Sequence, residues 1–277
     1  MDDLSILEIV NLLTVGITSY NIKLHVPSDI PVHNQYIPSA NLKSQYWLDE
    51  INKWTVNQKM MINEKKTKSL IFNFTDKYQF GTRLHLNDEI IEVLDSTKLL
   101  GTIITSDLKW DMNTISIIKK ANARMELVRR VAGFGAAEED LKIIYFLFVR
   151  SLLEQSAPVW HSSLTEENSD DLERVQKSAV KIILGTKYLG YEKSLAKLDM
   201  LSLKERREQL CLSFAEKCVK KPKTQNMFPT NKKKHLMETR NPEHYMVTKA
   251  NTERFKKSAI IYMQNLLNEN HLKTSWG

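Results

Sequence analysis

A chain of 277 residues, 42% apolar and 26% charged, can bury one large core or two small ones, which excludes a disordered polymer. The formal charge of +7 is unevenly placed: from Leu201 to Arg240 there are eleven Lys and Arg against four Glu. Two cysteines, Cys211 and Cys218, lie seven apart in a helical pattern, which suits a reducing compartment and makes neither a disulfide framework nor a good zinc site.

In chain order, the first fifteen residues open acidic, and Glu8 and Asn11 interrupt their apolar run, the wrong shape for a secretory leader. Ile6 to Leu13 reads as a strand or a helix, and a loop with Pro27, Pro31 and Pro38 follows. Ser39 is placed to cap a helix in which Leu42, Trp47, Ile51 and Trp54 face inward. β pattern comes next. Leu70, Phe72 and Phe74 alternate with Ser69, Ile71 and Asn73, and "LHLNDEII" (Leu84 to Ile91) predicts two strands joined at Asn87-Asp88. "KLLGTII" predicts a further hairpin, with Gly101 supplying the permissive backbone of its turn.

After Trp110 the period becomes helical. Leu141, Ile144, Tyr145, Phe148 and Leu152 form one apolar stripe, and Leu172, Val175, Ala179, Ile182 and Ile183 form another. Thr165 can cap the second helix, with Glu166 and Glu167 against the positive end of its dipole and Gly185 ending it. A further helix runs from about Ser202 to Val219 with Leu203, Leu210, Phe214 and Cys218 on its apolar side. From Lys220 to about Thr252 the pattern fades into a polar, basic segment, and a last helix covers Arg254 to Leu267. The longest apolar stretch, Ile143 to Val149, is too short to span a bilayer and is flanked by Lys142 and Arg150. The expected class is α+β, with β confined to residues 1–110, and the expected location is intracellular, in the nucleus or cytoplasm, with no membrane contact.

Motifs for conventional chemistry are missing: no glycine-rich phosphate loop with a following lysine, no H-E-x-x-H, no cysteine pairs at metal spacing, no serine with a plausible base. His161, beside Trp160, reads as a packed residue rather than a catalytic one. The basic block has two readings. It is a phosphate-binding surface, whose Lys and Arg gain affinity by displacing condensed counterions, or a solvated helix face with a loose tail. Arg206, Arg207, Lys220, Lys221, Lys232 and Lys233 carry the first reading.

Several longer phrases follow one another in a particular order. Asp2-Asp3 is followed by "INKWTVNQKMMINEKKTKSLIF" (Ile51 to Phe72), "STKLLGTIITSDLKWDMN" (Ser96 to Asn113), "VRSLLEQSAPVWHSSL" (Val149 to Leu164), "DLERVQKSAVKIIL" (Asp171 to Leu184) and "LDMLSLKERREQLCLSFAEK" (Leu198 to Lys217). Together they resemble the closing part of the polymerase domain, and the region just beyond it, of reverse transcriptases from non-LTR retrotransposons, the LINE elements of jockey and CR1 type. The resemblance implies a partial palm over 1–110, a helical thumb-like connection over 111–219, and a basic C-terminal segment with a short helix over 220–277.

It also implies roles for individual residues. Met1-Asp2-Asp3 resembles the end of an aromatic-x-Asp-Asp tetrad, in which Asp2 would be a metal ligand and Asp3 its neighbour at a pair of Mg2+ ions about 4 Å apart. Lys65, Lys66 and Lys68 occupy the stretch that approaches the incoming nucleotide in the family, and are otherwise a solvated turn. Leu99, Leu100 and Gly101 resemble the hairpin that grips the primer end. The sequence departs from the family pattern at Met1, where a small or β-branched residue usually stands, and at Gln155, where many relatives have an aromatic after the residue matching Glu154. The family's other essential aspartate lies upstream of Met1, and the cysteine-histidine knuckle that ends some such elements is missing.

The expectation is therefore a fragment of an RNA-directed DNA polymerase that is inactive alone, holds no Mg2+ by itself, takes no small-molecule substrate, and binds RNA or DNA weakly with little sequence preference. The alternative is a non-enzymatic nucleic-acid-binding or protein-interaction module reused from such an element.

Overall fold

The computed structural model describes residues 39–72, 74, 83–231 and 244–275. Asp2, Asp3, the apolar run from Ile6 to Leu13, the proline loop, Lys232 and Lys233 lie outside the described residues. The chain divides into two compact units, Met1–Lys109 and Trp110–Gly277.

In the first unit, helix α1 (Ser39–Asn57) lies against a set of short strands. Strand β1 (Lys68–Leu70) is followed by β2 (His85–Leu86), β3 (Glu89–Ile90), β4 (Glu92–Leu94), β5 (Ser96–Leu99) and β6 (Thr102–Thr105). The run from Glu89 to Leu99 takes three partners in turn: β3 pairs antiparallel with β2, β4 pairs parallel with β1, and β5 pairs antiparallel with β6. Both expected hairpins are present, turning at Asn87-Asp88 and at Leu100-Gly101. Asn87, Leu100 and Gly101 all have positive φ, the backbone that tight two-residue turns demand. β1 stops at Leu70, short of the expected alternation through Phe74, because β4 offers it only three residues before Asp95 leads into β5.

Among the described residues the core of this unit is Leu48, Leu86 and Ile91, with Ile62 and Leu84 packed around them. α1 turns a different face inward from the one its large apolar residues suggest. Leu48 and Thr55 are buried, whereas Trp54 is 53% exposed. Polar bonds on that face decide the matter. Gln45 donates to and accepts from the His85 backbone at 2.8 Å each way, completing the exposed side of β2, and Asn52 donates to Asn87 at the hairpin turn.

The second unit is helical: α2 (Asp111–Gly133), α3 (Glu138–Ile144), a π-helical stretch (Tyr145–Arg150), α4 (Ser151–Leu153), α5 (Ala157–Trp160), α6 (Glu166–Leu184), α7 (Tyr191–Lys197), α8 (Leu203–Lys220), α9 (Glu253–Lys256) and α10 (Ala259–Ser275). α2 and α6 form its most extensive helix pair, and Asn168 of α6 donates to Asp111 of α2 at 2.6 Å where the two helices begin. The expected α6 stripe is interior: Leu172, Val175, Ala179 and Ile183 are all buried. The stripe before it differs. Leu141, Tyr145, Val149 and Leu153 are buried at a strict spacing of four, while Phe148 is 43% exposed. The π-helical stretch is the cause, since its wider turn keeps every fourth residue on one face.

Residues 220–277, set apart in the sequence by composition, share a core with 111–219. Ala215 and Cys218 of α8 pack with Phe228 and with Met263 and Leu267 of α10. The structured segment between those helices includes a bridge from Thr230 to Tyr245, a β contact beyond residue 110. Among the described residues no helix is long and apolar enough to cross a membrane.

Helix ends follow the sequence closely. The Thr165 hydroxyl accepts from the Asn168 N–H, and Gly185 ends α6 at φ +52°. Ser202 and Glu205 exchange bonds at the start of α8, with Ser202 Oγ accepting from Glu205 N–H and the Glu205 carboxylate accepting from Ser202 N–H. Replacing Thr165 or Ser202 by Ala removes one acceptor from a helix N-terminus, so each change should lower stability by about 1 kcal/mol in a urea titration. A shift of the midpoint with unchanged slope is the expected form.

Candidate nucleic-acid interface

The first group of candidate residues surrounds β1. Asn63 caps a 3-10 turn, Glu64–Lys66, accepting from Lys66 N–H through its side chain, and this turn presents Lys65 and Lys66 to solvent just before the strand. Lys68 begins β1 opposite Glu92, and the two side chains form an ion pair at 2.6 Å. The second group lies at the far end of the same strand run. Leu99 pairs with Thr102 as the last rung of the β5–β6 hairpin, and Leu100 at its tip is 90% exposed beside Gly101. An exposed leucine on a two-residue turn is available to lie against a flat apolar surface, such as a nucleotide base or sugar.

The third group is dispersed along α8. Arg206 grips Glu154 with two guanidinium nitrogens, at 3.2 and 3.3 Å, and Arg150 approaches the same carboxylate at 3.4 Å. Two arginines thus share one carboxylate, leaving one positive charge in excess on a half-buried surface. Arg150 also lies over the Phe146 ring, 3.5 Å from its centre. Burial lowers the proton affinity of Arg150, Glu154 opposes that shift, and Arg206 adds to it. Lys220 and Lys221 are exposed at the opposite end of α8, where cations face the negative end of the helix dipole. Fourteen residues of helix separate Arg206 from Lys220, about 21 Å at 1.5 Å per residue, so the basic positions do not form one cluster.

Arg207 departs from the surface reading altogether. Its side chain is fully buried, and its place in the basic block reflects sequence position rather than exposure. Its Nε donates to His161 Nδ1 at 3.2 Å and its Nη2 to Ser169 Oγ at 2.9 Å, while Nη1 has no hydrogen-bond partner among the described residues. Desolvation lowers the proton affinity of the guanidinium, against the pull of Glu173. His161 is packed, as its setting beside Trp160 suggests, and burial, then the nearby Arg207 and Lys204 charges, push its pKa down to about 4. The imidazole is therefore neutral near pH 7.

A second interior network fixes the entry to α8. Gln176 accepts from the Tyr145 hydroxyl at 2.8 Å and donates to Tyr191 and to the Leu201 carbonyl. Glu173 accepts from the Tyr191 hydroxyl and from Leu203 N–H. These contacts set the start of α8 and with it the direction in which Arg206 points.

Among the described residues no group of three His, Cys, Asp or Glu is placed to hold a metal ion. Sequence reading missed the pairing of Arg150 and Arg206 on Glu154, although Arg150 and Glu154 stand at the i,i+4 spacing that joins side chains across one helical turn. Comparison of the chain with family models, with curated proteins and with solved structures gives no match.

Proposed function

We propose that the chain is the closing part of the palm and the helical region beyond it of an RNA-directed DNA polymerase of the non-LTR retrotransposon type, and that its direct activity is to bind nucleic acid. The hairpin Ser96–Thr105 carries this reading: it falls on the "KLLGTII" phrase, turns at Leu100-Gly101 as a primer-grip hairpin would, and is followed directly by a helical unit. RNA or DNA is the proposed partner, held mainly through phosphates, in the nucleus or the cytoplasm. The separate compactness of Trp110–Gly277 favours a second reading, a helical module that binds nucleic acid or protein without any polymerase.

Lys220 and Lys221, with Lys232 and Lys233, are the phosphate contacts to test, since Arg206 is engaged by Glu154 and Arg207 is interior. Affinity for a single-stranded oligonucleotide should fall steeply with salt, and changing the four lysines to Gln should flatten the log–log salt slope by about 3. An unchanged slope would place the contacts elsewhere on the chain. No binding at low salt would remove the nucleic-acid reading.

A further inference from the structure

Arg150 is held on two sides and open on a third. Its guanidinium carbon lies 3.5 Å from the centre of the Phe146 ring, so the flat group rests on an aromatic face. Its Nε points at Glu154 Oε1 at 3.4 Å, an ion pair across one helical turn. Nη1 and Nη2 form no hydrogen bond with any described residue, and neither is sealed in the interior, so both meet solvent. These two nitrogens are the edge of the guanidinium fork that matches two oxygens of one phosphate.

The charges around this edge leave room for an anion. Arg206 commits Nε and Nη2 to Glu154 and Nη1 to Gln209, so its fork is turned inward while that of Arg150 is not. Lys142 Nζ lies 5.9 Å from the same Phe146 ring centre and pairs with Glu139 at 3.8 Å. Three cations thus meet two carboxylates, a net charge of 3 − 2 = +1 on a partly buried surface. Burial works against the Arg150 charge, Glu154 supports it, and Arg206 opposes it. A charge short of compensation gains from a further anion.

We propose that Arg150 is the receptor for a phosphate group, to which Nη1 and Nη2 donate side by side while Phe146 and Glu154 hold the guanidinium in place. The site goes beyond the lysine contacts proposed for a strand, and its ligand is one phosphate of a nucleic acid or a free phosphate. A structural tie alone does not need Arg150, because Arg206 and Glu154 join α8 to the end of α4 without it. Nor would lysine serve at this position, since an ammonium has no flat face for the ring and no parallel pair of donors.

Two probes, inorganic pyrophosphate and a short oligothymidylate, are titrated into the full chain at constant ionic strength while the arginine Nε–Hε signals are followed by NMR. The Arg150 signal should move, and Arg150→Lys, which keeps the charge and loses the fork, should weaken binding about 10-fold with an unchanged far-ultraviolet spectrum. A loss for the oligothymidylate assigns the site to a strand phosphate, and a loss confined to pyrophosphate assigns it to a free one. A chain that binds pyrophosphate through Arg150 and no oligothymidylate keeps the site and loses the strand reading. An Arg150 signal that neither probe moves, or an Arg150→Lys chain that binds both as tightly as the unaltered one, overturns the site and leaves the strand reading to the four lysines.

Discussion

Supplied with a primer–template, nucleotides and either Mg2+ or Mn2+, the 277-residue chain should extend no primer. The expected deficit is large because nucleotidyl transfer of this kind needs several carboxylates converging on two ions. On the proposed reading Asp2 and Asp3 are two of that set, and among the described residues no group of three His, Cys, Asp or Glu is placed to hold an ion by itself. Enzymes accelerate their reactions by about 10^6-fold or more, and losing the ions forfeits most of that gain. Joined in frame to the fingers and upstream palm of a non-LTR reverse transcriptase, the chain should support extension, and Asp2→Ala should then abolish it without changing the far-ultraviolet spectrum. Extension by the chain alone, or a joined enzyme indifferent to Asp2→Ala, would sink the assignment of both carboxylates.

The largest effect on stability is expected at Trp160. Its side chain is fully buried, and its indole N–H donates to the Gln155 carbonyl at 2.9 Å, closing the turn between α4 and α5. Trp160→Ala should lower the stability of the helical unit by about 3–5 kcal/mol, from lost transfer energy and the cavity left behind. Trp160→Phe keeps most of the apolar surface and removes the indole hydrogen bond to the Gln155 carbonyl, so a smaller loss of about 1 kcal/mol is expected. Chemical unfolding followed by circular dichroism measures both. Equal losses in the two variants would mean that the hydrogen bond, and not the ring volume, holds this corner.

Binding and folding make different demands on the basic block. A phosphate contact needs a cation in solvent, and Lys220 and Lys221 meet that condition at the end of α8. Arg207 cannot contact a phosphate without leaving the interior, and its removal would act through the packing of α8 on α6 and on the 3-10 turn His161–Ser163. Arg206 is intermediate: its pairing with Glu154 reduces the charge available to a partner while fixing the side chain in one direction.

Features set within a few residues of chain were legible in the amino-acid order. The Asn87-Asp88 and Leu100-Gly101 turns, the Thr165 cap, the Gly185 stop and the extent of α8 each depend on local backbone preferences or on bonds spanning three or four residues. The α6 stripe was legible for a related reason, since its apolar spacing is unbroken from Leu172 to Ile183. Only tertiary structure decided which face of α1 is inside, because Gln45 and Asn52 find their partners 40 and 35 residues away. The same holds for the burial of Arg207 and the setting of His161, whose partners lie 46 and 101 residues apart in the chain. An apolar stripe is a statement about one helix, whereas a polar residue enters a core only when distant groups satisfy its hydrogen bonds, and that condition is invisible until the helices meet.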